Sequence, residues 1–566
     1  MAQVRIWDAN PGYDFDEQVD LKDSPSWFLD GTHCVPPWTP MFAWFWNRYC
    51  CHGLKYCCDR FSNPRCKGWE MRYKDGMSYL TFHIVRDEEE VKRREVKFRE
   101  AMRPLLEDFD GIWKGHIDEM MGLYDRLKSL DLDKASNFEL LYHLYDLIAM
   151  YRRMWEIHFV GMYAAYGAWL LLETLCKDWF GIKDQSPEFQ KLLVGFDNKV
   201  YQVDKRLWEF SQDATNKGLA DIFLTTEPRE IIAKLEQIEA GREWLKVFRE
   251  FLWEDGWRMQ RMAEINEPTW IEDPAPPLSA IKGFLAKGGG FALEQVRARL
   301  AEEREKAVAA MMQRVPEGEK EWFLALIRVA QKASSYSEEH NHYLDLYSHA
   351  LIRRGMLGIG RRLVQAGTID QPEDTFYLNP DEVERVMLAP EFHDLRYIVS
   401  RRRKEWEGWL KKEAPPVITT RSSIPEAVEK DLLPSMDPIA LKTSVGEVPE
   451  VIPELKADLF GLCGSPGVAE GPARVILSYD ELHKVQEGDI LIAPATSPPW
   501  TPVFSLIKGV VVDFGGTLCH AAIIGREFGI PAIVNAGKAT SIIRTGDRVR
   551  VDGDHAAVFI LEKAQP

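Results

Sequence analysis

The stretch Val511–Val534, VVDFGGTLCHAAIIGREFGIPAIV, decides how the C-terminal part of this chain folds. Its first apolar residues predict the end of a buried strand, and the Gly515–Gly516 pair allows a tight turn. A short helix is expected from Ala521 to Glu527, because Gly529 then ends it. The sequence therefore predicts a strand, a glycine turn and a helix N-terminus, with His520 on the turn.

This predicted arrangement suits a phosphoryl group. Free N–H groups and the positive end of the helix dipole stabilise phosphoryl oxygens. The same field disfavours an imidazolium, so His520 is expected to be neutral and nucleophilic. A neutral imidazole can take a phosphoryl group and pass it on. Taken alone, a His after two glycines is more often a capping residue than a nucleophile.

The stretch resembles the phosphohistidine signature of the swivelling domain in phosphoenolpyruvate synthase, pyruvate phosphate dikinase and rifampicin phosphotransferase. The similarity extends over Gly464–Ile476 (GSPGVAEGPARVI), Glu487–Phe504 (EGDILIAPATSPPWTPVF) and Ala539–Leu561. The resemblance implies that His520 is the phosphorylated residue. Arg526, one and a half helical turns later, is expected to clamp the phosphoryl group on this carrier domain.

Residues 1–85 are rich in aromatic residues, Pro and Gly, and show little helical period. The segment Asp30–Trp46, DGTHCVPPWTPMFAWFW, is predicted to be an irregular apolar loop, and most such loops belong to a core. It resembles the H-x-P-x-P-x-T-P-x-F pattern that opens the acceptor-substrate domain of rifampicin phosphotransferase and phenylphosphate synthase enzymes. That resemblance implies a place for His33 in the acceptor site.

From Glu88 to about Asp255 the apolar residues recur every three or four positions on a charged background, which predicts helices. Asn137–Cys176 is more apolar and is expected to be a central helix. Its Tyr, Met and Trp residues belong to a core or line part of a ligand pocket. The apolar run Phe159–Leu172 has 14 residues, which is too short to span a bilayer and favours a buried helix.

Glu317–Ala366 is predicted to form one or two long helices, and the stretch Ser337–Gly367 carries basic stripes along them. These stripes are either a solvated face or a set of groups that converge on a phosphoryl group. Ala350–Val383 resembles part of the same phosphotransferases, which favours the second alternative. We expect His340 or His342 to act as the general base, with His33 as an alternative. The expected ligands of the phosphoryl oxygens are Arg354 and Arg361, or Arg353 and Arg362.

Composition and charge exclude several classes of function. The net charge of −17 argues against nucleic acid and anionic membranes as partners. The N-terminal segment lacks a signal sequence, so a cytoplasmic location is expected. Six cysteines between Cys34 and Cys66 do not have a recognised zinc spacing and are expected to be free thiols, with a metal site as the alternative. The run Gly288–Gly290 lacks the Lys-Ser/Thr of a P-loop and is expected to be a connector.

The predicted architecture is multidomain α + α/β. Residues 1–412 would form a mostly helical acceptor domain, 413–456 a Pro-rich linker, and 457–566 a swivelling β/α phosphohistidine domain. The linker composition predicts a semi-extended tether. Such a tether would let His520 visit two sites, because phosphoryl transfer needs close positioning at each.

The function that the resemblance implies is phosphoryl transfer from phospho-His520 to a hydroxyl of a small organic acceptor. The aromatic N-terminal region favours a phenolic or otherwise aromatic acceptor. Residues 1–410 show no run of strands that predicts an ATP-grasp domain, and no TIM-barrel alternation follows. A separate ATP-grasp subunit, which would supply ATP and Mg²⁺, is therefore expected, as in phenylphosphate synthase. The alternatives are an antibiotic or polyketide phosphotransferase of the rifampicin type, and a non-catalytic phosphocarrier or regulatory subunit.

Overall fold

The computed structural model describes residues 24–182, 186–259, 261–288, 292–433, 439, 442–443, 448–497 and 500–564. The chain forms two compact units, each built from separate segments. Unit one comprises residues 1–164, 263–266 and 343–441, and unit two comprises 165–262, 267–342 and 442–566. The units therefore follow a different division from the continuous domains that the sequence predicts.

A four-stranded sheet lies in unit one, in the order β2-β3-β1-β4. The strands are β1 Ser26–Leu29, β2 Cys66–Lys74, β3 Met77–Ile84 and β4 Val417–Thr419. All neighbours are antiparallel, and β1 pairs with β4 so that Trp27 faces Ile418. The hairpin between β2 and β3 was not predicted from the sequence.

The expectation of an irregular loop is wrong for the C-terminal part of the segment Asp30–Trp46, because Pro40–Phe61 is a helix. Pro40 occupies the first turn, where its missing N–H leaves no hydrogen bond unmade. Fourteen of the 22 residues are buried, so apolar side chains surround the helix and hide its 3.6-residue period. Trp38, Phe42 and Trp46 pack on one another with ring centroids 5.2–5.6 Å apart, and all three are buried.

The remaining helices of unit one follow the predicted pattern. They are Glu88–Glu107, Phe109–Ser129, the first part of Asn137–Phe180, Tyr347–Gln365, Pro380–Met387 and Arg396–Trp409. Asn137–Phe180 has 44 residues and is the one described helix long and apolar enough to pass a test for a membrane span. Core helices of soluble proteins pass the same test, and 67% of its most apolar window is buried inside the protein. The expected buried helix at Phe159–Leu172 is confirmed.

Unit two combines a helical part with a sheet domain. The helices of the first part are Lys199–Asn216, Ala220–Thr225, Pro228–Leu235, Glu239–Asp255, Ala275–Lys287, Ala292–Arg314 and Lys320–His340. Its core includes Phe210, Trp244 and Phe248. After His340 the chain continues as a π-helical segment, Asn341–Leu346.

Residues 458–562, here called the histidine domain, form an eight-stranded mixed sheet in the order β5-β12-β11-β7-β8-β9-β10-β6. The bounds of its strands are β5 Leu459–Phe460, β6 Leu462–Ser465, β7 Val468–Val475, β8 Ile490–Ala493, β9 Gly509–Val512, β10 Ala532–Val534, β11 Arg548–Asp552 and β12 Ala557–Glu562. Strands β7 to β10 are parallel to one another and the other pairs are antiparallel. The short helices are Thr501–Phe504, His520–Phe528 and Ala539–Ile542. The predicted α + α/β class is confirmed.

The predicted linker is partly folded. Residues 417–432 contribute β4, the helix Ile424–Ala427 and a π-helical turn to unit one, and Arg421 forms a 2.6 Å ion pair with Asp431. This half of the linker is therefore not a semi-extended tether. Residues 434–438, 440–441 and 444–447 lie outside the described residues, as do the N-terminal segment 1–23 and most of the predicted glycine connector.

Candidate active site

His520 lies where three predicted local features meet. Strand β9 ends at Val512, Gly515 adopts a φ of 112°, and the helix begins at His520. A Cβ on Gly515 would lie 2.8 Å from the Sγ of Cys519, so this turn requires glycine. Gly529 ends the helix in the left-handed conformation, as predicted.

Thr496 reaches His520 because the two residues follow adjacent parallel strands, whose carboxyl ends meet at one edge of the sheet. The Oγ1 of Thr496 lies 2.8 Å from Nδ1 of His520, and the Oγ1 of Thr501 lies 3.3 Å from Nε2. Phe504 packs edge-on against the imidazole, with ring centroids 5.8 Å apart. Both ring nitrogens therefore have a defined environment.

His520 is buried and only 7% exposed, although it follows directly on a turn. The helical part of unit two covers the ring. Burial, followed by the positive charge of Arg258, lowers the pKa of His520 to about 3. The expected neutral imidazole therefore has desolvation as its main cause.

Glu338 is the carboxyl group that faces the nucleophile. It lies near the end of the helix Lys320–His340 and its Oε2 is 3.8 Å from Nε2 of His520. The side chain is fully buried, and neither carboxyl oxygen has a hydrogen-bond partner in the described part of the chain. Burial raises the pKa of Glu338 to about 8; the positive charge of Arg258 opposes this shift and Glu527 adds to it. The pKa of Glu338 therefore lies close enough to neutral pH for this carboxyl group to gain and lose a proton there.

Arg258 supplies a buried positive charge to the same place. It is 2% exposed, and its guanidinium lies over the ring of Trp270 at 4.6 Å. Within the described residues this guanidinium makes no side-chain hydrogen bond or ion pair. Burial lowers the pKa of Arg258, and the charges of Asp204 and Glu338 are among those that oppose this effect. A buried guanidinium without a bonded anion is suited to receive phosphoryl oxygens.

The two histidines expected to act as a base lie in the same unit. His342 Nε2 is 3.8 Å from Asp255 Oδ1, and burial, followed by Arg258 and Lys199, holds the pKa of His342 well below its usual range. His340 stacks on Tyr336 with centroids 4.9 Å apart, and its Nδ1 lies 2.8 Å from the Tyr336 carbonyl oxygen.

Arg526 makes structural contacts close to His520. Its Nη1 donates to the carbonyl oxygens of Gly464 at 2.6 Å and Thr517 at 3.0 Å, and the side chain is buried. It therefore joins the turn before the nucleophile to strand β6. Its expected role as a phosphoryl clamp stays a prediction.

Arg353 and Arg354, two of the candidate phosphoryl ligands, bind backbone groups of unit one. Arg353 donates to the carbonyl of Ile265 at 2.9 Å. Arg354 donates to the carbonyls of Leu127, Lys128 and Leu130 at 2.9–3.3 Å, which satisfies the C-terminal end of the helix Phe109–Ser129.

Arg361, Arg362 and His33 also have partners within unit one. Arg361 pairs with Asp133 at 2.7 Å, and Arg362 donates to Asn137 and to the carbonyl of Ala135. His33 lies 2.7 Å from Asp30. Their proposed contacts with an acceptor or a phosphoryl group stay predictions.

The sequence alone did not identify the residues that contact His520 or that place a charged group near it. Thr496 and Thr501 belong to the segment Glu487–Phe504, which resembles the phosphohistidine domain. Their position in that segment is the one sequence feature that could have indicated a role near His520. Glu338 lies inside the segment Ser337–Gly367, where the His and Arg residues form the visible pattern and nothing distinguishes one acidic residue from the next. Arg258 lies in no motif, and only the packing of unit two brings it to His520.

Two family models match this chain. One is the fourth domain of rifampicin phosphotransferase, over residues 156–338, and the other is the mobile domain of PEP-utilising enzymes, over residues 485–556. The first match includes Arg258 and Glu338, and the second includes Thr496, Thr501 and His520. The two matched regions therefore contribute to one site.

Several characterised or named proteins are similar over most of the chain. The uncharacterized phosphotransferase YvkC of Bacillus subtilis is 30% identical over 74% of this chain and 48% of its own length. Rifampicin phosphotransferase of the same organism is 30% identical over 58% of this chain and 36% of its own length. The prodigiosin synthesizing transferase PigC of Serratia marcescens is 28% identical over 61% and 36%. The chain thus spans about half the length, or less, of these relatives.

Proposed function

Because the chain belongs to the PEP-utilising enzyme family, we propose that it carries a phosphoryl group on His520 and transfers it to a hydroxyl of a small organic acceptor. The observation that carries this proposal is the placement of Nε2 of His520 beside a buried carboxyl group, Glu338, and close to the charge of Arg258. Nucleophile, proton acceptor and anion-binding group are the three parts that the transfer needs.

The transfer step balances with the residues at the site. The P–N bond to Nε2 breaks and a P–O bond to the acceptor forms. The hydroxyl proton passes to the carboxylate of Glu338. His520 leaves as a neutral imidazole that keeps a proton on Nδ1, which donates to Thr496. Arg258 stabilises the charge on the phosphoryl oxygens throughout.

We propose a phenolic or otherwise aromatic acceptor. A phenol has a pKa of about 10, so a carboxylate with a pKa near 8 takes its proton with little loss in driving force. An antibiotic or polyketide hydroxyl is the second candidate, because the fourth-domain match is to rifampicin phosphotransferase. Competition between a phenol and rifampicin for the same phosphorylated protein separates the two.

We propose that His520 is loaded by an ATP-grasp subunit, which would bind ATP and Mg²⁺. The buried carboxyl group beside His520 does not fit a resident Mg²⁺, because burial raises the pKa of Glu338 and favours its neutral form. The isolated chain is therefore expected not to phosphorylate itself from labelled ATP and Mg²⁺. Catalytic self-labelling would contradict a separate nucleotide-binding subunit.

The transfer itself can be tested without that subunit. The full chain is phosphorylated chemically with phosphoramidate, and the label on His520 is located by mass spectrometry. The label should be lost in acid and kept in alkali, and it should move to added 2-naphthol. His520→Asn should abolish labelling at this site, whereas His555→Asn, which changes an exposed histidine of the same domain, should not. A label that never moves to any hydroxyl would favour a phosphocarrier or regulatory subunit.

A further inference from the structure

A cavity of about 350 Å³ lies in unit two, between the helical part and the histidine domain. The helices Pro228–Leu235 and Ala275–Lys287 form one side, and residues 479–485 and 502–506 contribute to the other. Its lining is mostly apolar and includes Trp270, Phe284, Tyr479, Leu482, Val503 and Leu506. A concave apolar site of this size suits a small molecule.

The polar groups of the cavity are few. The indole of Trp270 is 2% exposed, and its Nε1 is a buried donor without a hydrogen-bond partner in the described part of the chain. Arg229 and Asp273 form an ion pair at 3.1 Å, and the Arg229 side chain is 81% exposed to solvent. The cavity is therefore held mainly by apolar and aromatic side chains.

The wall of the cavity is also the wall of the candidate active site. Trp270 lines the cavity, and the guanidinium of Arg258 lies over the Trp270 ring at 4.6 Å. Tyr479 lines it as well. Pro502 follows Thr501, whose hydroxyl lies 3.3 Å from Nε2 of His520. A molecule in the cavity is therefore separated from the nucleophile by single side chains.

We propose that this cavity binds the ring system of the hydroxyl acceptor, and that it limits the acceptor to planar aromatic molecules of about two rings; the inference rests on the proposed phosphoryl transfer. An apolar cavity of about 150 Å³ holds one benzene ring, so 350 Å³ accommodates about two. Trp270, Phe284 and Tyr479 offer aromatic surfaces for stacking.

Gly283 allows the cavity to be filled without disturbing other contacts. It lines the cavity, lies in the middle of the helix Ala275–Lys287, and a Cβ there would meet no atom within 4 Å. Gly122 is a matched control in unit one, because it also lies inside a helix and a Cβ there also meets no atom within 4 Å. Gly283→Phe therefore places a ring in the cavity, whereas Gly122→Phe makes the same chemical change elsewhere.

The test is equilibrium binding of 2-naphthol to the full chain, followed by its fluorescence anisotropy. Gly283→Phe should weaken binding at least tenfold, and Gly122→Phe should leave it unchanged. Rifampicin should not compete. Equal affinity in Gly283→Phe, or displacement of 2-naphthol by rifampicin, would overturn the inference.

Two measurements separate this inference from the proposed function. If 2-naphthol binds in the cavity but never receives the label from phosphorylated His520, the cavity is not the acceptor site and both proposals fail for this molecule. If the label reaches 2-naphthol equally fast in Gly283→Phe and wild type, phosphoryl transfer stands and the cavity assignment is wrong. Transfer that is slowed by Gly283→Phe and not by Gly122→Phe supports both.

Discussion

Replacement of Glu338 by Gln should stabilise the protein, and the gain should grow with pH. Glu338 is fully buried and its carboxyl oxygens have no hydrogen-bond partner in the described residues. Its charged form is therefore disfavoured in the folded protein. Gln has nearly the shape of the protonated acid and removes the charge.

The size of the effect follows from the shift of the pKa. Burial raises the pKa of Glu338 from 4.5 to about 8. Because the folded state holds its proton more tightly, the free energy of unfolding falls as pH rises from about 4.5 to about 8. The loss is on the order of 3 kcal/mol at pH 7 and on the order of 5 kcal/mol above pH 8. These are upper values, because separation of the histidine domain would hydrate the carboxylate.

The assay is thermal unfolding of wild type and Glu338→Gln between pH 4 and pH 9. The two should melt together near pH 4, and the variant should melt several degrees higher at pH 8–9. Glu339→Gln is the matched control, since the next residue on the helix points about 100° away and is not fully buried. A constant difference across the pH range, or a less stable Glu338→Gln at pH 9, would refute this account of the buried carboxyl group.

Three further predictions concern the same molecule. In the phosphoramidate assay, the wild-type transfer rate should rise with pH and level off above about 8 as Glu338 ionises, and the Glu338→Gln rate should be low and independent of pH. Arg258→Met should slow transfer to 2-naphthol by about 10²–10³ while phosphorylated His520 still forms; equal loss of labelling and transfer would indicate a structural role. Arg354→Ala should lower the free energy of unfolding by about 1–3 kcal/mol, because it leaves three carbonyls of unit one without their donor. A loss of phosphoryl transfer without a loss of stability would instead support the phosphoryl-binding role.

The part of the site nearest His520 could be predicted because it depends on local backbone chemistry. The turn needs glycine at 515, the helix ends at Gly529, and both requirements are visible in adjacent letters. The same logic fails for Pro40–Phe61, which is apolar on nearly every face. A buried helix of this kind lacks the polar side that marks a helical period.

The predicted basic stripes depended on an unbroken α-helix between His340 and Arg361. The segment Asn341–Leu346 is π-helical, and the wider turn shifts the phase of every side chain that follows it. Regular spacing therefore could not tell which residues share a face on the two sides of this segment. Glu338 lies just before it and faces His520, whereas Arg354 lies beyond it and binds backbone carbonyls of unit one.

The energetics of the unloaded site explain why phosphorylation should favour the arrangement described here. Burial disfavours the charged forms of His520 and Glu338, while Arg258 is buried as a cation without a bonded anion in the described residues. A phosphoryl group on Nε2 would bring negative charge to that guanidinium and convert an unmatched buried charge into a charge-assisted contact. After transfer, the neutral imidazole no longer supplies this charge. The phosphorylated histidine domain should therefore bind the helical part of unit two more tightly than the unphosphorylated domain does. Phosphorylation then favours docking at this site, and transfer of the phosphoryl group favours release.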